Sequence, residues 1–478
     1  MGFVEGVHRE QMVMFPQSLD EYIGEENPVR FIDAFVDSLD LRVLGFERAV
    51  PKETGRPPYH PGVLLKLYLY GYLNRIRSSR KLEREAQRNV ELMWLLGKLT
   101  PDFKTIADFR RDNGQPIRAV YREFTQVCRG LGLYGGELVA IDGSKFKAAN
   151  SRDRNYTKGK LQRLNKRADK KIEEYLKGLD EADGEEQDSE KPTVEELQEK
   201  IEWLKRRKEV YAELQEKMDE SGESQVSLTD PDARSMKLGY SRGTDVAYNV
   251  QISVDAKHKL IVDHEVTNEC NDARQLSSMA VRAREVLEVE SLEVVADKGY
   301  YSQTEIQDCV DKDIVPYIPK KDTSSSSRAG LYGKKEFRYD AENDCYWCPA
   351  GKALPYSYQT TSNGQEVRVY VASGCGKCAL KDKCKQSNSS RRIKRWVHEA
   401  VLEEMAQRVR AEPDKVKQRK SIVEHPFGTI KRSMDQGYFL TRRLCNVRAE
   451  MSLTMLAYNI KRALRLKGTQ ELIAALPT

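Results

Sequence analysis

Five short apolar segments with strand character, spread over residues 137–318, constrain this chain more than any other feature. Glu137-Leu-Val-Ala-Ile-Asp142 reads as a short buried strand ending in a carboxylate. A period of two runs through Ala247–Val254 and again through Lys259–Val266, which predicts an antiparallel pair. Ser291–Ala296 and Ile314–Ile318 complete the set. Apolar residues at helical spacing predict helices over Asn271–Val289 and Thr304–Val310. The resulting order is strand, strand, strand, helix, strand, helix, strand. One long interruption follows the first strand.

That order predicts an α/β protein with an RNase H-like catalytic core, a mixed sheet flanked by helices. The core is split, with 137–150 and 235–319 forming its first part and 398–478 its C-terminal helices. Residues 1–130 read as an N-terminal helical domain, a DNA-binding one under the first of the two readings below. The stretch from Asn27 to Leu39 is amphipathic, and Pro51–Pro61 is a proline-rich hinge. Val63, Leu64, Leu67, Leu69, Tyr70 and Leu73 form an apolar helical face. A second helix is expected from about Arg80 to Leu96, and a third after Thr100 as N-cap with Pro101 at its first position. Two readings stay open there, a helix-turn-helix and an ordinary bundle with a solvated basic face. Under the first, Arg75, Arg77, Arg80, Lys104 and Arg111 contact DNA phosphates.

Two insertions interrupt the core. Residues 151–234 carry two helical seams. One has Leu161, Leu164, Ala168, Ile172, Tyr175 and Leu179, and the other runs from Val194 to Met218. Asp180–Glu190 between them has seven acidic residues of eleven, so a helical hairpin with an acidic tip is expected. It serves as a spacer or, since its first helix is so basic, as an arm for DNA or a partner. Residues 320–397 form the second insertion, which opens on a Lys-Ser-rich loop and holds five of the nine cysteines.

Composition excludes several classes. No apolar run reaches the length of a membrane helix, and the first residues lack the pattern of a secretory leader. Nine cysteines in such a chain lead to the expectation of a reducing cytoplasm, with reduced thiols or metal ligands. The formal net charge of +6 is only mildly basic, so DNA binding requires clustered positive charge. No phosphate-cradling glycine loop and no Gly-x-Ser-x-Gly elbow occurs, which leaves a nucleotide cofactor and serine catalysis without support.

Three carboxylates stand where chemistry would use them: Asp142 and Asp297 at strand ends, and Glu424 on a helix. Gathered around one point they repel, and divalent cations neutralise that repulsion. Mg2+ or Mn2+ suits such hard oxygen ligands and leaves room for water and phosphate. Lys145, Lys147, Lys298, Lys431 and Arg432 are the candidate phosphate contacts. Glu424 and Lys431 are seven positions apart, which puts both on one face of a regular helix.

The motifs IDGSK, DKGYYS and EHPFGTIKR resemble those of DDE transposases from bacterial insertion sequences, in particular the insertion sequence 1182 group, related to the groups numbered 4 and 5. DPDARSMK at 230–237, AYNVQISVD at 247–255 and the N-terminal GRPPYHPGVLLKLYLYGYLNRIRSSRKLE agree, so the resemblance runs from about Gly55 to Arg465. It implies Asp142, Asp297 and Glu424 as the metal-binding triad of DNA strand cleavage and transfer. It implies double-stranded DNA as partner, both terminal inverted repeats and target, and a homodimer or larger synaptic complex. A catalytically inactive or repurposed DNA-binding descendant is the alternative from another class, and a nuclease that cuts without joining is the rival among enzymes. The related group numbered 4 has Y-x2-R-x3-E-x6-K. Glu424 and Lys431 fit it, but Lys417 and Lys420 hold the Tyr and Arg positions, and Arg419 is one residue off.

Cys345 and Cys348 form one C-x2-C, Cys375 and Cys378 a second, and Cys384 follows. Paired C-x2-C units around a hairpin, here 356–361 and 367–371 about Ser362-Asn-Gly, have zinc-ribbon spacing. Cys345 and Cys348 with two of the other three would hold a structural zinc, stabilising an insertion too small to bury its own core. Cys128, Cys270, Cys309 and Cys445 read as core residues, and burial is also expected for Trp203 and Trp396. His258 and His264 read as surface or packing groups. His425, beside Glu424, is a candidate support for that carboxylate.

Overall fold

The computed structural model describes residues 18–50, 57–182, 193–238, 243–320, 329–385, 387 and 389–477. Residues 51–56 of the proline-rich hinge, 183–190 of the expected acidic tip and 321–328 of the Lys-Ser-rich loop lie outside these residues, while 180–182 end a helix. Two compact units are present. The first comprises Met1–Gly135, Gly143–Cys270 and Glu424–Thr478, and the second Gly136–Asp142 and Asn271–Val423. No helix among the described residues is long and apolar enough to cross a membrane.

The first unit begins with six helices: α1 Pro28–Asp37, α2 Pro61–Leu73, α3 Ser79–Arg88, α4 Val90–Leu95, α5 Phe103–Asp112 and α6 Gly114–Gly130. The start of α1 follows from its sequence, since Asn27 accepts the Val29 N–H at 3.0 Å and Pro28 needs no donor partner. α2 is apolar around most of its circumference and is buried accordingly, with Leu65, Leu67, Tyr68, Leu69 and Tyr72 all at 0% exposure. The single helix expected over Arg80–Leu96 is instead two. The chain extends at Asn89, whose side chain caps α4 through the Glu91 N–H. The expected cap Thr100 is also corrected: Asp102 accepts the Lys104 and Thr105 N–H groups, each at 3.0 Å, so α5 starts at Phe103. A carboxylate meets both N–H donors and interacts well with the positive helix end.

The strands follow. β1 is Leu138–Lys147, and its second half belongs to this unit. β2 Asn155–Thr157 leads into α7 Lys158–Ala182 and α8 Val194–Ser221, and β3 Gln225–Ser227 returns beside β2. Leu161, Tyr211, Leu214 and Met218 fill the base of this helical hairpin. Trp203 departs from the expected burial: it is 55% exposed, with the Arg207 guanidinium 4.6 Å from its ring centre. Its neighbour Leu204 takes the seam position. Val194, expected in that seam, is exposed as well. β4 Arg234–Lys237, β5 Thr244–Asp255 and β6 Ile261–Thr267 complete the strands. β5 pairs antiparallel with both β4 and β6 and neighbours β1.

The closing helix, Leu444–Lys467, packs on this framework. Asn459 satisfies both backbone groups of Ile261, accepting its N–H at 2.9 Å and donating to its carbonyl at 2.7 Å. His264 meets Ser452 at 2.9 Å and sits edge-on to Tyr121, which fixes it as a packing group. The same helix presents Glu450, 1% exposed, to Arg77 at 3.4 Å. Arg77 also donates to the carbonyls of Tyr438 and Asp435. Arg77, expected among the phosphate contacts, is thus an internal tie, its side chain 6% exposed and bonded within the protein.

In the second unit the first half of β1 pairs in parallel with β7. Here α9 is Leu276–Leu287, β7 Leu292–Ala296, α10 Gln303–Val310 and β8 Ile314–Tyr317, and β8 is parallel to β7. A separate antiparallel sheet follows, of β9 Arg338–Asp340, β10 Cys345–Trp347, β11 Ala353–Ser362, β12 Gln365–Val371 and β13 Arg392–Trp396. Asn363 and Gly364, at φ 53° and 77°, make the tight turn between β11 and β12 that the sequence predicts. The short helix α11, Lys381–Cys384, lies between β12 and β13. Contrary to expectation this segment has a core of its own, built on Phe337, Tyr346, Leu354, Tyr370, Ala372 and Ile393. α12 Glu399–Ala411 and α13 Pro413–Gly428 follow, the last turn of α13 belonging to the first unit. Cys128 and Cys309 are buried as expected, but Cys270 and Cys445 are exposed. Trp396 is buried.

Removing Arg77 takes the cation from the buried Glu450, whose carboxylate then keeps the hydrogen bonds of Leu440 and Thr441. Arg77→Ala should therefore lower stability by about 3 kcal/mol, read as a fall in the urea midpoint at unchanged slope. Arg75→Ala, at an exposed position two residues away, should change it by less than about 0.5 kcal/mol. Equal midpoints for the two variants would refute the internal role of Arg77.

Candidate active site

In the second unit, the register of β1 against β7 pairs Leu138 with Glu293 and Ile141 with Ala296. The residue that follows each end of this ladder is an aspartate, so Asp142 and Asp297 emerge from adjacent strands at the same level, with the strands spaced by about 4.8 Å. Asp142 does not end its strand, as the sequence suggested, because β1 runs on to Lys147. Within the first unit that extension is fixed by Phe439 and Gly437, whose backbones pair with Lys147. β7 ends at Ala296, and Asp297 just past it caps the 3-10 turn Lys298–Tyr300, its carboxylate accepting the Gly299 N–H.

Beneath the two carboxylates lies Tyr300, fully buried. Burial first, then the nearby charges of Asp272, Asp142 and Asp297, hold its phenol protonated far above the usual range, and Arg419 opposes this only in part. Arg419 itself donates to Asp142 at 2.8 Å. It reaches from α13, which is pinned four residues earlier. There Lys415 bonds Glu293 at 2.8 Å and meets the Tyr317 hydroxyl at 3.3 Å. Positions 415 and 419 share one helical face, so one docking event places both cations. Sequence reasoning missed Arg419, Tyr300 and Asp272. Arg419 had a signal, its nearness to the signature arginine position. Tyr300 had a weaker one inside DKGYYS, and Asp272 had none.

In the first unit, Lys431 donates to Ser144 Oγ at 2.6 Å and to the Lys145 carbonyl at 2.9 Å. Its ammonium stands 4.4 Å from the Phe146 ring centre. Lys431 therefore braces the half of β1 that follows Asp142. It does not lie on a regular continuation of α13: Pro426 interrupts the bonding, and Thr429–Ser433 forms a π turn. The same-face argument for Glu424 and Lys431 does not hold in that geometry. Glu424 is on the last turn of α13, exposed to solvent. His425 beside it turns to Tyr458, Nδ1 lying 2.9 Å from the hydroxyl. Lys298 and Arg432 are exposed, and Lys145 is half-buried.

Among the N-terminal candidates, Arg75, Arg80, Lys104 and Arg111 are exposed. Arg80 stacks on Phe103, and Arg111 is paired with Asp108 and Asp112.

Asp142 and Asp297 offer hard oxygen donors at adjacent positions, the donor chemistry that Mg2+ or Mn2+ takes. Among the described residues, no group of three or more His, Cys, Asp or Glu side chains is drawn together as tightly as a bound ion would draw them. Arg419 pairs with Asp142 in this structure.

Residues 17–112 match a family described as a transposase domain, DUF772, and residues 347–464 match a family described as a transposase DDE domain. Together the two matches support a DDE transposase of the insertion-sequence type. A cryo-EM structure of a piggyBac transposase synaptic complex with hairpin DNA aligns over 94% of this chain and 78% of its own, at 8% identity and a TM-score of 0.31. None of the curated proteins matches the chain.

His425 offers a direct check on this side of the first unit. Burial, then the charges of Arg462, Lys259 and Arg465, pull its pKa below the ordinary histidine value. In the unfolded chain it protonates near pH 6.5, so stability is lost as pH falls from there through the lower folded value. Its ring protons, followed by NMR, should titrate below pH 6.5, and Arg462→Gln should raise the midpoint. A midpoint above 6.5 in the intact protein would contradict the environment described.

Proposed function

We propose that this chain is a DNA transposase that binds the terminal inverted repeats of an insertion sequence and catalyses metal-dependent strand cleavage and strand transfer. The observation that carries the proposal is the parallel register that sets Asp142 beside Asp297. Two like charges held together by the backbone call for cations, and phosphodiester chemistry uses them. The strand pattern supports an RNase H-like core: β6, β5 and β1 are neighbours in one unit, and β1, β7 and β8 in the other.

In this reading Asp142, Asp297 and Glu424 hold Mg2+ or Mn2+. Bound there, the ions would supply the charge that activates an attacking hydroxyl and steadies the leaving oxygen. Glu424 enters through the resemblance and through its position on α13, five residues after the arginine that meets Asp142. Arg419 orients Asp142 and limits its repulsion from Asp297. Lys431 fixes the strand next to Asp142 through Ser144, and Lys145, Lys298 and Arg432 contact phosphates. Arg75, Arg80, Lys104 and Arg111 extend that contact along the N-terminal helices. Transesterification conserves phosphodiester bonds, so no nucleotide cofactor is needed. Joining two ends to a target requires a dimer or larger synaptic assembly on DNA. A structural zinc in the cysteine-rich segment belongs to the same reading and takes no part in the chemistry.

The test is a strand-transfer assay with Mg2+, using a linear DNA that carries the element's own ends and a supercoiled plasmid as target. Wild type should give joined products. Asp297→Ala and Glu424→Gln should each lower the yield by roughly 10²–10³ or more, the range seen when one transition-state contact is lost. Both should bind the ends with the salt dependence of wild type, whereas Lys104→Ala should flatten the slope of log K against log salt by about 0.9. Cleavage without joining would point to a nuclease. Specific binding with neither product would point to an inactive descendant.

A further inference from the structure

The cysteine-rich segment of the second unit carries four thiols on one small cavity. Cys348, Cys375, Cys378 and Cys384 line it, together with the apolar side chains of Tyr332 and Phe337. Its volume, about 30 Å³, suits a single small occupant. Each thiol arrives on a tight turn. Gly351, at φ 72°, closes the turn after Cys348, where the Lys352 N–H donates to Cys348 Sγ at 3.3 Å. Cys375 opens a 3-10 turn after Gly374, at φ 66°, and Cys378 closes it. Cys384 ends α11. All nine cysteines of the chain are free of disulfides.

We infer that Cys348, Cys375, Cys378 and Cys384 form a four-thiolate zinc site, and that Cys345 lies outside it. This deepens the structural-zinc part of the function proposed above and is independent of the carboxylate chemistry. Cys345 sits on β10, bonded in register to Asp340 and Pro355, and does not line the cavity. Its charged neighbours include the carboxylates of Asp340 and Asp344, poor company for a thiolate. The other four have cations close by. A backbone N–H points at one sulfur, and Lys352, Lys381, Lys385 and Arg391 border the cavity. Four thiolates around one Zn2+ leave two net negative charges, which those cations offset. Soft sulfur ligands in a tetrahedral set select zinc over the hard cations that suit carboxylates. The ligand spacing is then Cys348, a 26-residue hairpin excursion, C-x2-C and a further C-x5-C step, rather than two symmetric C-x2-C units.

The test uses the full chain purified without added metal and dialysed against a weak chelator. Metal analysis should find about one zinc per chain, the content of a closed four-coordinate site. Replacement by Co2+ should give the intense sulfur-to-cobalt charge-transfer band and the visible bands of a tetrahedral thiolate complex. Cys348→Ser and Cys384→Ser should each lower retained zinc at least tenfold, and Cys345→Ser should retain it. Zinc loss in Cys345→Ser equal to that in Cys384→Ser would overturn the ligand set. Absence of zinc together with no cobalt spectrum in the wild type, all thiols being titratable, would overturn the site itself. The cobalt spectrum needs no variant, so a misfolded mutant does not decide the outcome. Strand transfer measured on the same samples separates failure of this site from failure of the transposase reading.

Discussion

The parallel pairing of β1 with β7 is the constraint on which the candidate chemistry depends. Backbone hydrogen bonds leave no freedom in register: a slip of one residue would turn Asp142 to the other face of the strand. Because Ile141 opposes Ala296, the aspartate that follows each is delivered to the same level. The repulsion this creates is met by Arg419 on one side and by the Gly299 N–H on the other. Beneath, a tyrosine held in its neutral form adds no further charge. Such a site is costly to the fold unless something binds there, which is the usual mark of function rather than stability.

The apolar strands and their carboxylates were legible because burial imposes a simple pattern. Both aspartates follow runs of valine, alanine and isoleucine, and the strand positions hold. The extent of β1 was not legible. Its continuation lies beside β5 and closes at Lys147 against Phe439 and Gly437, nearly 300 residues away, and local sequence carries no trace of either neighbour. Arg77 misled for a related reason. A basic run looks solvated, yet one member of it meets a buried glutamate on the closing helix, 373 positions on. Charge in a sequence shows what must be compensated, and says nothing of whether water or a distant carboxylate does it. Helix breaks were equally hidden, because Asn89 acts as a cap only once the chain has turned there.

In the cysteine-rich segment, spacing and strand geometry single out different cysteines. Two C-x2-C pairs read naturally as a symmetric ribbon. Strand geometry separates the first pair: Cys345 is within the β10 ladder, whereas Cys348 lies past its end and lines the cavity. The segment also buries aromatic residues of its own, so a metal there would tie loops to an existing core rather than substitute for one.

The one-residue offset of Arg419 from the familiar signature position has a physical reading of its own. Along a helix, neighbours point about 100° apart. Lys415 fixes which face of α13 meets Glu293 and Tyr317, and position 419 falls on that face one turn later. Position 420 is rotated away from it, and there the chain keeps a lysine. A planar guanidinium is the better partner for a carboxylate, and its pairing with Asp142 requires the docked face. Arginine therefore stands where the docking geometry needs it, and a counted signature alone would assign the role to Lys420.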